Sequence, residues 1–262
     1  MILFVGQVGR AMAEREAFQE MDFRRFFGQV SKWSAEIQDP ARIPELVSQA
    51  FHAATSGRPG PVVLSLPEDM LREPSGVADA RRYRPVQAHP GPADLAALRA
   101  MLEAAKRPVM LLGGATWTTE AVADIPRFAE ASGLPVCCAF RNQDRFDNHH
   151  PNYIGDVGIG SNPELIQRLR ETDLLLAVGP RLGEQTSQGY SLLDIPVPRQ
   201  PLVHVHPDPE ELGRVYRAEL PINAGMAPFA AAAAALEPVD GGAWRDWLQT
   251  ARQSHLAHIE IQ

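Results

Sequence analysis

Short apolar runs alternate with helical patterns along most of this sequence, and this alternation constrains the fold more than any other feature. Residues 62–66 form an apolar run short enough to be a buried strand, whereas residues 40–56 place apolar side chains at helical spacing. Strands that alternate with helices form parallel sheets, because a crossover helix returns the chain to the end of the sheet from which it started. The sequence therefore predicts an α/β fold.

The predicted elements fall into two groups. The first group has strands at residues 2–5 and 62–66 around the helix at 40–56, and the run at 2–5, which ends at Gly6, predicts a buried strand. The second group is longer and more regular. Its predicted strands are residues 108–112, 135–138, 174–178, 202–206 and 220–223, and its predicted helices are residues 95–105, 120–133, 163–169, 226–236 and 243–258, with a short helix after Pro209.

A proline-rich stretch separates the two groups. Between Pro67 and Pro92 the apolar periodicity vanishes, and the chain is rich in Pro, Arg, Ser and Gly. Such a composition is typical of a linker between domains. We therefore expect a first domain at residues 1–67, a linker at 68–91, a second domain at 92–236 and a further segment at 237–262.

Composition excludes several classes of partner. The net charge is −7, from 25 basic and 32 acidic residues, which disfavours nucleic acid and anionic membrane surfaces. No apolar run is long enough to cross a bilayer, and the first residues have no basic region of a signal peptide. The two cysteines, Cys137 and Cys138, are adjacent in an apolar run, which predicts buried thiols in a reducing compartment. We expect a cytoplasmic protein.

Three groups of motifs occur in a fixed order along the chain. The first consists of Gly6-Gln7-Val8, Ala17-Phe18-Gln19-Glu20-Met21-Asp22 and Ser31-Lys32, and the second of Thr55-Ser56-Gly57-Arg58-Pro59-Gly60-Pro61-Val62 and Leu66-Pro67-Glu68-Asp69. The third consists of Arg107-Pro108-Val109, Gly113-Gly114, Asp173-Leu174-Leu175-Leu176-Ala177-Val178-Gly179-Pro180-Arg181 and His204-Val205-His206-Pro207-Asp208-Pro209. In order and spacing the whole chain resembles the thiamine-diphosphate (ThDP) enzymes of the acetolactate synthase, pyruvate oxidase and carboligase type.

The resemblance implies an architecture and a reaction. Residues 1–67 correspond to the second half of an α/β pyrimidine-binding domain, and residues 92–236 to the whole central domain, a doubly wound six-stranded parallel sheet of Rossmann type. Residues 237–262 correspond to the approach to a diphosphate-binding domain. Enzymes of the family use ThDP and Mg²⁺ to decarboxylate or join 2-oxo acids. Because half a pyrimidine-binding domain leaves sheet edges and apolar faces uncovered, we expect this chain to form a homo-oligomer.

The resemblance also implies that this chain is a truncated enzyme and inactive alone. ThDP chemistry needs a glutamate beside the aminopyrimidine, which in the family lies upstream of the part matched here. It also needs a Mg²⁺ site with a Gly-Asp-Gly…Asn pattern, and Asp240-Gly241-Gly242 is only a superficial echo of it. We therefore expect no metal ligands in this chain, and no binding of ThDP or Mg²⁺ to it alone.

Phe18 and Gln19 are the candidate catalytic residues. By resemblance they lie on a loop that faces the active site, where the neutral amide of Gln19 can hydrogen-bond a substrate. The alternative is that Phe18 is a core residue and Gln19 a solvated loop residue, and the sequence leaves the two readings evenly balanced.

Gly113, Gly114 and Arg181 are the candidate cofactor-binding residues. Two glycines after a strand let a diphosphate approach a helix N-terminus, and acetolactate synthases bind FAD at this place. In this chain, however, Ala115 replaces the family's third glycine, Gly158-Ile159-Gly160 replaces its Met-His-Gly turn, and Leu182-Gly183-Glu184 follows the retained Arg181. These departures favour a site without FAD.

Two other functions stay open at this stage. The second domain alone could be a module that binds a nucleotide or FAD, or the chain could be a structural remnant without catalysis.

His204 and His206 share one face of a predicted strand, but no third ligand is spaced to complete a metal site, so structural histidines are favoured.

Overall fold

The computed structural model describes residues 1–260, which form two compact units, Met1–Val86 and a second unit that begins at Gln87. The first unit contains a three-stranded parallel sheet of β1 (Ile2–Gln7), β2 (Trp33–Glu36) and β3 (Val62–Pro67), in the order β1-β3-β2. Helix α1 (Phe23–Phe27) precedes β2, and α2 (Ile43–Thr55) connects β2 to β3. The small core lies between α2 and the sheet, where Leu46 and Ala50 pack with Leu64.

One expectation for this unit was wrong, and one strand was missed. β1 is not a buried strand, because it lies at the edge of the sheet and the Phe4 side chain is 51% exposed. Strand β2 was not predicted, since its four residues include Ser34 and Glu36 and lack a continuous apolar run. The central strand is β3, whose Val62, Val63 and Leu64 are all buried.

The second unit has a doubly wound sheet of six parallel strands, which confirms the predicted fold class. The sheet order is β6-β5-β4-β7-β8-β9. Its elements are α3 (Pro92–Ala104), β4 (Pro108–Leu112), α4 (Thr119–Ser132), β5 (Val136–Cys138), β6 (Tyr153–Asp156), α5 (Pro163–Glu171), β7 (Leu174–Val178), β8 (Leu202–His206), β9 (Leu220–Asn223), α6 (Met226–Ala234) and α7 (Arg245–Ile259). The chain winds outward in both directions from β4 and β7, so the topological switch point lies between these two strands.

Both faces of this sheet are buried, as expected for a parallel sheet covered by helices. Successive residues of β4 show this: Met110 and Leu112 belong to one core cluster, and Val109 and Leu111 to a second one. Strands β4, β7 and β8 are buried at every position. Burial on both faces explains the continuous apolar runs of β4 and β7, from which the sequence predicts these strands.

The sequence prediction missed one strand and placed one helix wrongly. β6 (Tyr153–Asp156) follows a polar stretch around His149 and His150, and it has only two large apolar residues. Residues 209–213 form consecutive turns instead of the short helix predicted after Pro209. Asp208 accepts the backbone N–H of Glu210, and Gly213 adopts a left-handed φ of 90° that ends the turn.

Helix α7 packs on the second unit through one aromatic and one basic side chain. Trp244, which directly precedes α7, is buried, and its indole donates to the carbonyls of Ser132 (3.2 Å) and Gly133 (2.9 Å). Arg252 donates to the carbonyl oxygen of Tyr153 at 2.8 Å and to those of Asn148 and His149, each at 3.1 Å. Among residues 1–260, no helix is both long and apolar enough to cross a membrane.

Candidate functional site

The carboxyl ends of β4 and β7 form the crevice in which a doubly wound sheet binds its ligand. Gly113-Gly114 follows β4 and Gly179-Pro180-Arg181 follows β7, so the structure brings together the three residues predicted to bind a cofactor in the second unit. Gly113 donates its N–H to the carbonyl of Val178 at 3.0 Å, which continues the ladder between the two strands. The two turns therefore start side by side.

The glycines of these turns are needed for contact between the turns themselves. A Cβ on Gly114 would lie 2.0 Å from the carbonyl oxygen of Gly179, and a Cβ on Gly179 would lie 2.3 Å from that of Gly113. A Cβ on Gly113 would meet Ala139 and Pro180 at 2.8 and 2.9 Å. The space that the missing side chains leave is thus filled by the chain itself, so close packing accounts for the two glycines after β4 without a bound diphosphate.

The N-terminus of α4, which follows the Gly113-Gly114 turn, is already capped by its own residues. The hydroxyl of Thr118 accepts the N–H of Ala121 at 3.2 Å. The Glu120 side chain lies in the first turn, where its own backbone N–H, and then the Thr118 hydroxyl, lower the pKa of the carboxyl. A carboxylate therefore occupies the place where a helix N-terminus would attract a phosphate.

Arg181 is bound to a buried carboxylate. Its Nε contacts Glu211 Oε2 at 3.2 Å, while Arg214 contacts Oε1 of the same carboxylate at 2.9 Å. The Glu211 side chain is only 3% exposed, so it needs these cationic partners. The Arg181 side chain is 41% exposed, which leaves part of the guanidinium open to solvent at the carboxyl edge.

His204, on β8, is buried beside this edge. Its Nε2 lies 2.8 Å from the carbonyl oxygen of Pro180, so this nitrogen carries the proton and donates. Burial lowers the pKa of His204 to about 4, which keeps the ring neutral at physiological pH. His204 therefore joins β8 to the turn after β7 as a structural hydrogen-bond donor.

The candidate catalytic residues Phe18 and Gln19 lie on a surface loop of the first unit, between β1 and α1. Phe18 is 89% exposed, so it is not part of the core. Gln19 adopts a left-handed backbone with a φ of 68°. The alternative of a core Phe18 is thus contradicted, whereas a contact of either residue with a cofactor stays a prediction.

A polar network at the carboxyl end of the first sheet was missed by the sequence prediction. The Glu36 carboxylate accepts the hydroxyl of Ser65, on β3, at 2.9 Å and the amide of Gln7, on β1, at 3.3 Å. The same Gln7 amide donates to the carbonyl of Met21 at 2.7 Å. Glu36 is the last residue of β2, and a carboxylate at the end of a strand is typical of a polar site. The sequence does not predict β2, so it does not place Glu36 at a strand end.

Lys32 also serves the structure of the first unit. Its ammonium group donates to the carbonyls of Ser56 (2.6 Å) and Arg58 (3.0 Å). A Cβ on Gly60 would lie 2.8 Å from the Lys32 side chain, so the glycine-rich turn makes room for the lysine.

Within residues 1–260, no three or more His, Cys, Asp or Glu side chains converge in a way that could hold a metal ion.

Comparisons with known proteins agree with this architecture. A family model described as the central domain of thiamine pyrophosphate enzymes matches residues 95–233, which contain all six strands of the second sheet. The chain is 30% identical to the acetolactate synthase large subunit of Corynebacterium glutamicum over 85% of this chain and 36% of the relative. It is 31% identical to the probable acetolactate synthase large subunit of Methanocaldococcus jannaschii over 93% of this chain and 42% of the relative.

A third relative is similar over nearly the whole chain. The acetolactate synthase isozyme 3 large subunit of Escherichia coli K12 is 29% identical over 97% of this chain and 46% of the relative. The chain thus spans less than half the length of each of these three relatives.

Proposed function

The chain belongs to the thiamine pyrophosphate enzyme family, and from this premise we propose that it contributes to an enzyme that decarboxylates or joins 2-oxo acids, as an acetolactate synthase does. In this proposal the second unit is the central domain, and the first unit, with the Phe18–Gln19 loop, is a part of the pyrimidine-binding domain. The cofactor, when bound, supplies the carbanion chemistry, and the protein supplies binding and orientation.

The exposed Phe18 is the observation that carries this proposal. A ring that is 89% exposed gains little from the hydrophobic effect. Its loop is nevertheless held by the Gln7 amide, which donates to the Met21 carbonyl, and by the Glu20 carboxylate, which accepts the N–H of Ala17. An ordered loop that presents an aromatic ring and an amide to solvent is suited to contact a flat apolar ligand with polar edges. We assign Phe18 to the apolar contact and Gln19 to a hydrogen bond with the substrate.

The proposal for this chain alone is narrower: it does not bind ThDP and Mg²⁺ by itself. The relatives have more than half of their length outside the matched part. The resemblance assigns both the activating glutamate and the Mg²⁺ ligands to that other part. Titration calorimetry of the purified chain with ThDP and Mg²⁺ tests this, and we expect no saturable heat. Clear saturable binding of ThDP would contradict it.

We further propose that the carboxyl edge of the second sheet binds no FAD. Glu120 already occupies the N-terminus of α4, and Gly113 and Gly114 are accounted for by close packing. Arg181 is tied to Glu211, although its guanidinium is partly open. We expect the purified chain to be colourless, and a stoichiometric yellow flavin would contradict this assignment.

Self-association and a cytoplasmic location complete the proposal. β1 is an edge strand with an exposed Phe4, and Phe26 and Val30 are 62% and 68% exposed in the same unit. Exposed apolar side chains on a unit with an open sheet edge favour a contact with another chain. Sedimentation equilibrium tests the self-association, with an oligomer expected and a monomer at all concentrations as the contrary result.

The two free thiols Cys137 and Cys138 are buried, which suits a reducing compartment such as the cytoplasm.

A further inference from the structure

The loop between β1 and α1, residues 8–22, is held at its base by charged and amide side chains. Arg10 contacts Asp69 through both its backbone N–H and its Nε, each at 2.9 Å, and also donates to the carbonyl of Gln38 at 2.7 Å. At the other end, Gln7 donates to the carbonyl of Met21 at 2.7 Å. The two ends of the loop are thus fixed to the first sheet.

The tip of the loop has an unfavourable backbone conformation. Glu14, Glu16 and Gln19 all adopt left-handed φ values, of 64°, 54° and 68°. Residues with side chains rarely adopt this conformation, and it persists only where surrounding contacts impose it. The anchors at the base do not reach these residues, so a separate contact has to hold the tip.

Glu20 makes that contact from inside the loop. One oxygen of its carboxylate accepts the backbone N–H of Glu14, and the other accepts the N–H of Ala17 at 3.1 Å. The two amides lie on either side of Glu16, and Ala17 directly precedes Phe18. The N–H of Glu14, and then that of Ala17, hold the pKa of the Glu20 carboxyl below its usual range, as expected for a carboxylate that accepts two backbone amides.

We propose that Glu20 is a positioning residue, whose carboxylate closes the loop on itself and so holds Phe18 and Gln19 in the orientation in which they meet the cofactor and substrate. This inference rests on the proposed function, because the tip matters only if Phe18 and Gln19 contact a ligand. Glu20 itself contacts no ligand in this account. It acts through the backbone of residues 14–19.

Hydrogen exchange on the intact chain, followed by NMR at the amides of Glu14 and Ala17, tests the proposal. In Glu20→Gln we expect about tenfold faster exchange at both amides, because each loses a hydrogen bond to a charged acceptor. Trypsin should then also cut faster after Arg15, which lies within the closed segment. Glu16→Gln is the matched control, since it removes the same charge from the same loop, and its exchange should equal that of the wild type.

The pH dependence of the wild-type chain gives a second measurement that needs no variant to fold. Because the folded-state pKa of Glu20 is lowered, its hydrogen bonds are present above the usual carboxyl pKa and are lost as the pH falls through the lowered value. Protection of the Ala17 amide should fall over this range, while that of Ile37, bonded to the Ser65 carbonyl at 3.0 Å, should not. The carboxyls of Glu14, Glu16 and Asp22 line the same surface concavity as Glu20, so each of them faces it. If Glu20 causes the change in protection, Glu16→Gln should show the same pH transition as the wild type.

Two results would overturn the proposal: exchange and tryptic cleavage in Glu20→Gln equal to those of the wild type, or no change in Ala17 protection with pH. The proposed function fails by a different result, namely full carboligation after loss of the Gln19 side chain when this chain replaces the matching part of an acetolactate synthase. Loosening of the loop in Glu20→Gln supports the closing role of Glu20 in either case.

Discussion

Gly114 lies against the carbonyl oxygen of Gly179 so closely that a Cβ on Gly114 would come within 2.0 Å of that oxygen. The two residues follow β4 and β7, the strands at which the winding of the second sheet reverses. The same contact therefore sets the shape of the crevice between the two turns. Gly114 also has a φ of 76°, which is unfavourable for any residue with a side chain.

Gly114→Ala should destabilise the second unit strongly, because both the backbone conformation and the contact with Gly179 oppose a side chain. We expect a loss of about 3 kcal/mol in the free energy of unfolding, measured in urea. Gly183→Ala is the control, since a Cβ there meets nothing within 4 Å and the residue has no positive φ. Equal stability of Gly114→Ala and Gly183→Ala would show that the close approach of the two turns is wrong.

Replacing Glu120 should make the N-terminus of α4 more attractive to phosphate. In Glu120→Gln the negative charge at the first turn is removed while the size of the side chain is kept, so the helix dipole is no longer neutralised. We expect the affinity for ADP, measured by calorimetry, to be undetectable in the wild type and to become measurable in the variant. Tight binding of ADP to the wild-type chain would contradict our account of this site. Glu130→Gln, at the other end of the same helix, should behave like the wild type.

His204 should make the protein less stable in acid. Its folded pKa is about 4, below the usual value of 6.5, so the unfolded chain binds a proton more readily than the folded one. The stabilising contribution is complete above pH 6.5 and is lost as the pH falls toward 4, by about 3 kcal/mol in total. Urea unfolding at several pH values should show a smaller loss for His204→Gln than for the wild type, while the exposed His258→Gln should follow the wild type. Identical pH profiles for all three proteins would rule out a neutral buried His204.

The sheet of the second unit was predictable because its central strands are buried on both faces. Strands β4 and β7 are continuous apolar runs, and β8 alternates apolar residues with His204 and His206; the predicted bounds of all three agree with the structure. β6 was missed for the opposite reason: at the edge of the sheet, Tyr153 and Ile154 are followed by Gly155 and Asp156, and pairing with β5 forms a strand that the local pattern does not show. At β1 the sequence predicts a buried strand, whereas the structure has an edge strand, because an apolar run does not reveal whether partner strands lie on both sides.

The sequence located the glycines of the candidate site but did not show what they are needed for. Gly113 and Gly114 were found, but sequence alone could not distinguish a diphosphate from a neighbouring turn as the group that needs the space. The carboxylates of Glu120 and Glu211, which neutralise the helix N-terminus and Arg181, were not singled out, because their partners are identified only by the fold. The same holds for Glu20, whose role depends on amides that are three and six residues away in the chain.

The central claim is that this chain performs the part of a thiamine pyrophosphate enzyme to which it is similar, with Gln19 in contact with the substrate. The most direct measurement is carboligation of pyruvate by a chimera in which the chain replaces the matching part of the Escherichia coli isozyme 3 large subunit. We expect ThDP-dependent acetolactate formation, which Gln19→Ala lowers about 100-fold in kcat/KM and Gln29→Ala, at an exposed glutamine, leaves unchanged. A folded chimera without carboligation, or one in which Gln19→Ala is fully active, would contradict the account.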